Sequence, residues 1–146
     1  NAAYVYSRVR FEEGAPERDR PLAGQSPYLV NAGFFYQYDD KGISASLLYN
    51  RIGKRIESVG VPMQNQNEDI PDIYEMPRNS LDLTFSKKIG KIVEIKAGIQ
   101  DMLNSKVEYK QFVKLTDDKG GKSEREQLIR SYRPGVDINI GVSLRF

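Results

Sequence analysis

The chain has 146 residues, a net charge of +2, and no Cys, His or Trp. Without Cys there is no disulfide framework and no thiolate metal site. Without His there is no imidazole to activate a serine or to hold zinc, so an enzyme, a metal centre and a cofactor are not expected. The charge gives no push towards nucleic acid. No apolar run reaches the roughly 18 residues of a membrane helix. The mean hydropathy of −0.57 discriminates little, because the strands of a membrane barrel are half polar and its loops wholly so.

Taken in chain order, the residues predict six strands. The first runs from Ala3 to Phe11. The second, Tyr28 to Tyr38, places Tyr28, Val30, Ala32, Phe34, Tyr36 and Tyr38 on one face. The third runs from Ile43 to about Gly53, with Ile43, Ala45, Leu47 and Tyr49 alternating against Ser44, Ser46 and Asn50. The fourth, Leu81 to Lys87, alternates Leu81, Leu83 and Phe85 with Asp82, Thr84 and Ser86. The fifth, Val93 to about Leu103, alternates Val93, Ile95, Ala97 and Ile99 with Glu94, Lys96, Gly98 and Gln100. The last runs from Val136 to Phe146, its apolar residues separated by Asp137, Asn139, Gly141, Ser143 and Arg145. A period of two means two unlike faces, and about 9–11 residues is the length of a tilted strand crossing a bilayer.

The connections alternate in length. Asp39-Asp40-Lys41-Gly42 and Lys88-Ile89-Gly90-Lys91 are short turns; 12–27, 56–79 and 104–133 are long and polar. Short turns on one side and long loops on the other characterise bacterial outer-membrane barrels. Pairing Tyr38 with Ile43 sets Phe34 opposite Leu47 and Gln37 opposite Ser44. The next hairpin matches faces only through an odd loop; Ile89-Gly90-Lys91 would bring Phe85 opposite Ile95 and Thr84 opposite Lys96. Six strands fall short of the roughly 8 of the smallest bacterial barrels. The start, Asn1-Ala2-Ala3-Tyr4, reads as the interior of a longer chain or a processed end.

In this order, Gln25-Ser26-Pro27-Tyr28-Leu29-Val30-Asn31, Leu47 to Ile56, Pro77 to Leu83, Gln100-Asp101-Met102-Leu103-Asn104 and Tyr132-Arg133-Pro134-Gly135-Val136 with the strand to Phe146 resemble the C-terminal end of a TonB-dependent outer-membrane receptor, with a flavour similar to receptors of Bacteroidota-type bacteria. The resemblance implies an all-β fold: an antiparallel transmembrane β-barrel segment, about six strands from a barrel of the 22-stranded type with a plugged lumen. Residues 1–146 would be the C-terminal part of that barrel domain, with the plug upstream. It implies energised uptake of a scarce nutrient: a metal chelate, a cobalamin-like cofactor, an oligosaccharide or a peptide. The implied partners are outer-membrane lipid, the plug of the same receptor, the TonB energy-transducing protein through the N-terminal part, and a surface lipoprotein. A receptor-like barrel acting as scaffold in a larger outer-membrane complex would have the same sequence.

The same resemblance makes Phe146, with Ile140, Val142 and Leu144, the signal read by the barrel-assembly machinery; a plain lipid-facing strand is compatible with it. Arg8, Arg10, Gln37, Asn50, Asp82, Glu94, Lys96, Asp137, Asn139 and Arg145 fall on the lumen face. Most simply they form a solvated wall. Of these, Asp82, Glu94, Lys96 and Arg145 are the candidates for plug contact, the first three because they lie on adjacent strands. In the loops, Glu12, Glu13, Glu17, Arg18, Asp19 and Arg20, and then Gln64 to Asp69 with Asp72 and Tyr74, are the exposed groups available to a ligand. The carboxylate spacing matches no calcium loop.

Overall fold

The computed structural model describes residues 1–10, 20–61, 70–90, 92–116 and 121–144. The described chain holds ten strands: β1 (Ala2–Tyr4), β2 (Tyr28–Tyr38), β3 (Ile43–Ile52), β4 (Arg55–Ser58), β5 (Ile73–Glu75), β6 (Arg78–Ile89), β7 (Val93–Gln100), β8 (Val107–Thr116), β9 (Lys122–Tyr132) and β10 (Asp137–Leu144). They form two antiparallel sheets, one in the order β1-β2-β3-β6-β7-β10 and one in the order β4-β5-β8-β9. The first contains all six strands expected from alternation. Among the described residues β1 and β10 are its two edges, and the sheet is open.

Alternation sets the register. Tyr38 pairs with Ile43, Phe34 with Leu47 and Gln37 with Ser44, as the polar and apolar periods require. In the next hairpin three residues separate β6 from β7, and Gly90 takes the left-handed φ of 62° that the odd loop demands. The register there differs from expectation by two residues. Phe85 faces Ala97 rather than Ile95, and Thr84 faces Gly98 rather than Lys96. A shift of two leaves every side chain on its own face, so the hydrophobic pattern does not distinguish the two pairings. The turn does, by beginning after Ile89.

Following these registers across the sheet puts most apolar residues of the six strands on one side, with Leu29, Phe35, Leu48 and Ile52 as exceptions on the other. One cross-strand row reads Phe34, Leu47, Leu83, Ile99, Ile138; the next reads Tyr36, Ala45, Phe85, Ala97, Ile140. Among the described residues nothing covers this face: Phe34 is 67% exposed and Ile140 76%. The band is bounded by the Lys87 row and the Arg51 row, about 26 Å apart along β3. Six strands are about 24 Å wide. Removing roughly 500 Å² of such surface from water is worth about 12 kcal/mol at 25 cal/mol per Å². That rivals the whole stability of a small domain, so the face requires an apolar neighbour.

Two expectations are corrected here. The first strand is short: β1 ends at Tyr4, Val9 makes only an isolated bridge to Arg20, and Phe11 lies outside the described residues. The segments 56–79 and 104–133 are not plain loops, since they carry β4, β5, β8 and β9. Ile52 pairs with Arg78 and Arg55 with Glu75, so the β3–β6 register runs unchanged through the break at Gly53 and Lys54. The second sheet therefore continues the first, beyond the end opposite both short turns. Its interior holds the buried hydrophobic residues of the described chain: Ile56, Val107 and Tyr109. At Gly53 a Cβ would sit 2.7 Å from the Tyr28 ring, so only glycine lets Tyr28 lie across the break.

The β7–β8 break is a corner tied by hydrogen bonds. Asp101 and Asn104 both have left-handed φ, 50° and 43°. The Asp101 N–H donates to Asp82 Oδ1 at 2.8 Å and Arg78 Nη1 to Asp101 Oδ2 at 3.3 Å. The Gly135 N–H donates to Asn104 Oδ1 at 3.0 Å, and Arg133 Nη1 to the Asn104 carbonyl at 3.2 Å. Asn104→Ala loses the bond to Gly135 and puts at this left-handed φ a residue that tolerates it less well than asparagine, a combined cost of about 2 kcal/mol, whereas Asn104→Gly loses the bond without that strain, at most about 1 kcal/mol. Urea unfolding of the refolded protein in detergent measures both; equal costs would mean that φ is not strained there.

Candidate functional site

Of the residues that sequence places on a lumen wall, the polar side of the six-stranded sheet carries Gln37, Asn50, Asp82, Glu94, Lys96, Asp137 and Asn139, whereas Arg8 and Arg10 lie beyond the end of β1. Ser44 and Ser86 share a hydrogen bond of 2.7 Å across β3 and β6. Lys96 Nζ lies 3.5 Å from Glu94 Oε2 on its own strand. The structure does not bring Asp82 to this pair. Lys96 is opposite Ser86, and Asp82 lies four residues further along β6, roughly 13 Å away. Asp82 is instead engaged at the corner, accepting the Asp101 N–H. Adjacency of strands was the right inference; position along them was not legible without the register. Ile140, Val142 and Leu144 lie exposed on the apolar side of the edge strand β10. Arg145 and Phe146 lie outside the described residues, as do 62–69 and 11–19.

The polar side continues into the second sheet, and here it becomes chemically distinctive. Because the register is unbroken at Gly53 and Lys54, the even-numbered residues of β4 remain on the polar side. Tyr74 pairs with Ile56 and Lys110, and Phe112 with Glu126. On this surface Lys54 Nζ sits 4.0 Å from the Tyr74 ring centroid and 3.8 Å from that of Phe112. The two rings meet edge-on at 5.8 Å. Beside them Lys110 Nζ bridges Glu126 Oε1 at 2.6 Å and Glu108 Oε2 at 3.4 Å. A half-buried aromatic pair with amine and carboxylate neighbours offers stacking faces and hydrogen-bond partners in one place, the usual makings of a site for a polar organic ligand.

Burial holds the Lys54 amine below its ordinary value, with the charges of Glu124 and Glu126 opposing. Burial pushes the Tyr74 hydroxyl up, helped by the charge of Asp72, to which it donates at 3.4 Å, and opposed by Arg20. Above pH 10.0, the ordinary tyrosine value, the unfolded chain releases the Tyr74 proton while the folded chain keeps it. The stability this lends is present below that pH and is lost as pH climbs through the folded value. Tyr74→Phe is expected to lose stability less steeply above pH 10.0 than the parent in a pH series of denaturant melts. Identical slopes would place the Tyr74 hydroxyl in open water.

Sequence singles out Tyr74 as a loop residue but not Lys54, Lys110, Phe112 or Glu126. A signal was present for part of this: Val107, Tyr109, Val113 and Leu115 alternate with Glu108, Lys110 and Lys114, interrupted only at Gln111 and Phe112. For β9 there was none, because Ser123-Glu124-Arg125-Glu126-Gln127 has no apolar phase. Charge along an edge strand is how sheets avoid pairing with other chains, and β9 is an edge. Among the described residues no group of acidic side chains is placed to hold a metal ion, and no helix is long and apolar enough to cross a membrane, which says nothing of crossing by strands. Compared with protein-family models, with curated proteins and with solved structures, the chain matches none of them.

Proposed function

We propose that this chain is a wall segment of an outer-membrane barrel of the TonB-dependent receptor type, from the C-terminal part of a 22-stranded barrel, serving energised uptake of a scarce nutrient. The observation that supports the reading is the apolar face running through the six strands, which no other described residue covers. Lipid supplies the missing apolar neighbour, and the polar face becomes the lumen wall. Both short turns then lie on the periplasmic side, and the second sheet stands outside the cell. The Lys54–Tyr74–Phe112 cluster is on its lumen-side surface, where a chelate, cofactor, sugar or peptide would first meet the receptor. Open edges at β1 and β10 need further strands, since an unpaired backbone group in lipid costs several kcal/mol. Ile140, Val142, Leu144 and Phe146 act as the signal for barrel assembly, and deleting Phe146 is expected to lower the amount of native polypeptide in the outer membrane; unchanged levels would remove that role.

The chain has no Cys, so a single introduced Cys takes a nitroxide label cleanly. Labels at Leu47, Leu83 and Ile140 of the native polypeptide in bilayers are expected to collide with dissolved oxygen. Labels at Ser46, Thr84 and Asn139 are expected to collide with an aqueous nickel chelate. No contrast between the sets would sink the membrane reading. The transport part is read by photocrosslinking to the inner-membrane energy protein in living cells. A barrel that inserts but never crosslinks is a scaffold.

A further inference from the structure

We propose that the corner between the Tyr74 and Phe112 rings is a site for an organic ammonium group, and that the Lys54 side chain occupies it as a built-in stand-in for the ligand. This names the ligand class of the cluster that the uptake reading sets on the lumen-side surface, and it rests on that reading. The two rings stand 5.8 Å apart at 68° to one another, like two walls. Lys54 Nζ is lodged between their faces, 4.0 Å from the Tyr74 centroid and 3.8 Å from that of Phe112. Both distances are well inside the roughly 6 Å reach of a cation over a ring. What the corner accepts is visible in what it holds.

The surrounding charges agree. Glu124 and Glu126 act on the Lys54 amine, and both favour a cation there. Among the described residues, the carboxylates around the rings are Asp72, Glu108, Glu124 and Glu126, and Arg20, Lys110 and Lys114 balance all but one of them. Lys54 supplies the last positive charge, so a corner emptied of Lys54 lacks one, and a monocation from outside restores it. Two features suit a methylated ammonium better than a primary amine. No described carbonyl or carboxylate accepts a hydrogen bond from Lys54 Nζ, so N–H donors on a guest go unmet. Burial already disfavours the charged form of Lys54, a compact and strongly hydrated ion, whereas methyl groups bring apolar surface to the aromatic walls. Lys54 lies at the break between β3 and β4, outside both strands, so its side chain can leave without opening a ladder.

The test titrates the native polypeptide in maltoside micelles with choline and follows the NMR signals of isotope-labelled Tyr and Phe rings. The uncharged alcohol in which carbon replaces the choline nitrogen is the control. Because Lys54 competes for the corner, the parent is expected to bind choline weakly and K54A about tenfold more tightly. K54A/Y74L and K54A/F112L are expected to lose that gain, while K54A/Y74F, which keeps the ring, retains it. K88A removes a positive charge from the polar side of the first sheet, opposite Glu94, and is expected to bind as the parent. A K54A variant that binds choline no more tightly than the parent overturns the site. So does equal binding of the uncharged alcohol, or an equal gain in K88A. Where the variants do not fold, the parent decides: choline must shift the Tyr74 and Phe112 signals and the alcohol must not. Failure of the uptake reading looks different. Absence of contrast between spin labels on the two faces removes the receptor, and overturns the ammonium as its ligand whatever choline does.

Discussion

Arginine in place of Leu47 is expected to lower folding stability in a bilayer by about 2–4 kcal/mol, while arginine in place of Ser46 beside it changes stability by less than about 1 kcal/mol. Leu47 stands in the middle row of the apolar band, between Phe34 and Leu83, at equal sequence distance from the Lys87 and Arg51 rows. A guanidinium there has the longest path to either interface. Ser46 lies between Phe35 and Thr84 on the other face, where water and neighbouring polar groups remain in reach. One residue of sequence separates the two substitutions, and only the period of two separates their effects. Folding titrations into lipid vesicles measure both. Equal costs at 46 and 47 would mean that both faces see the same medium and would remove lipid as the neighbour. Tolerance at both would mean that the apolar face lies in water.

Ile56→Ala is expected to cost about 2–4 kcal/mol, concentrated in the second sheet. Ile56 is 1% exposed, the most buried large side chain described. It sits on β4 opposite Tyr74, and its carbonyl accepts the Gly24 N–H at 2.7 Å. Truncation removes methylenes from one of the few places where this chain packs against itself, leaving a cavity beneath the ring pair that flanks Lys54. On the membrane reading proposed above, the six-stranded sheet gets its cover from lipid and does not share that loss. Hydrogen exchange should therefore quicken at the amides of β4, β5 and β8 and stay unchanged at β2 and β3. Quickening spread evenly over both sheets would mean that they unfold as one unit, with the break at Gly53 and Lys54 transmitting the loss.

How much of this was legible in advance follows from where the apolar atoms are. Alternation read directly from Val30 to Tyr38, Ile43 to Tyr49, Leu81 to Phe85, Val93 to Ile99 and Val136 to Leu144 located the long strands of the first sheet and the β2–β3 register, because each of those strands must present one apolar face. The same rule assigned Ile140, Val142 and Leu144 to one side and Asp82, Glu94 and Lys96 to the other. It did not separate registers that differ by two, which is why Phe85 meets Ala97 and why Asp82 lies far from Glu94. It did not reveal β4, β5 and β9, which are too short or too charged to carry a period. Their existence is a matter of tertiary pairing: β3 and β6 carry their register past Gly53 and Pro77, and β8 supplies an edge onto which β5 and β9 align. By itself the sequence determined an antiparallel all-β chain with one apolar and one polar side, since that needs only local alternation. Only the tertiary structure decided that Lys54 lies against both Tyr74 and Phe112. Those groups come from strands far apart in the chain, and their meeting depends on register and on backbone breaks that hydrophobic periodicity does not encode.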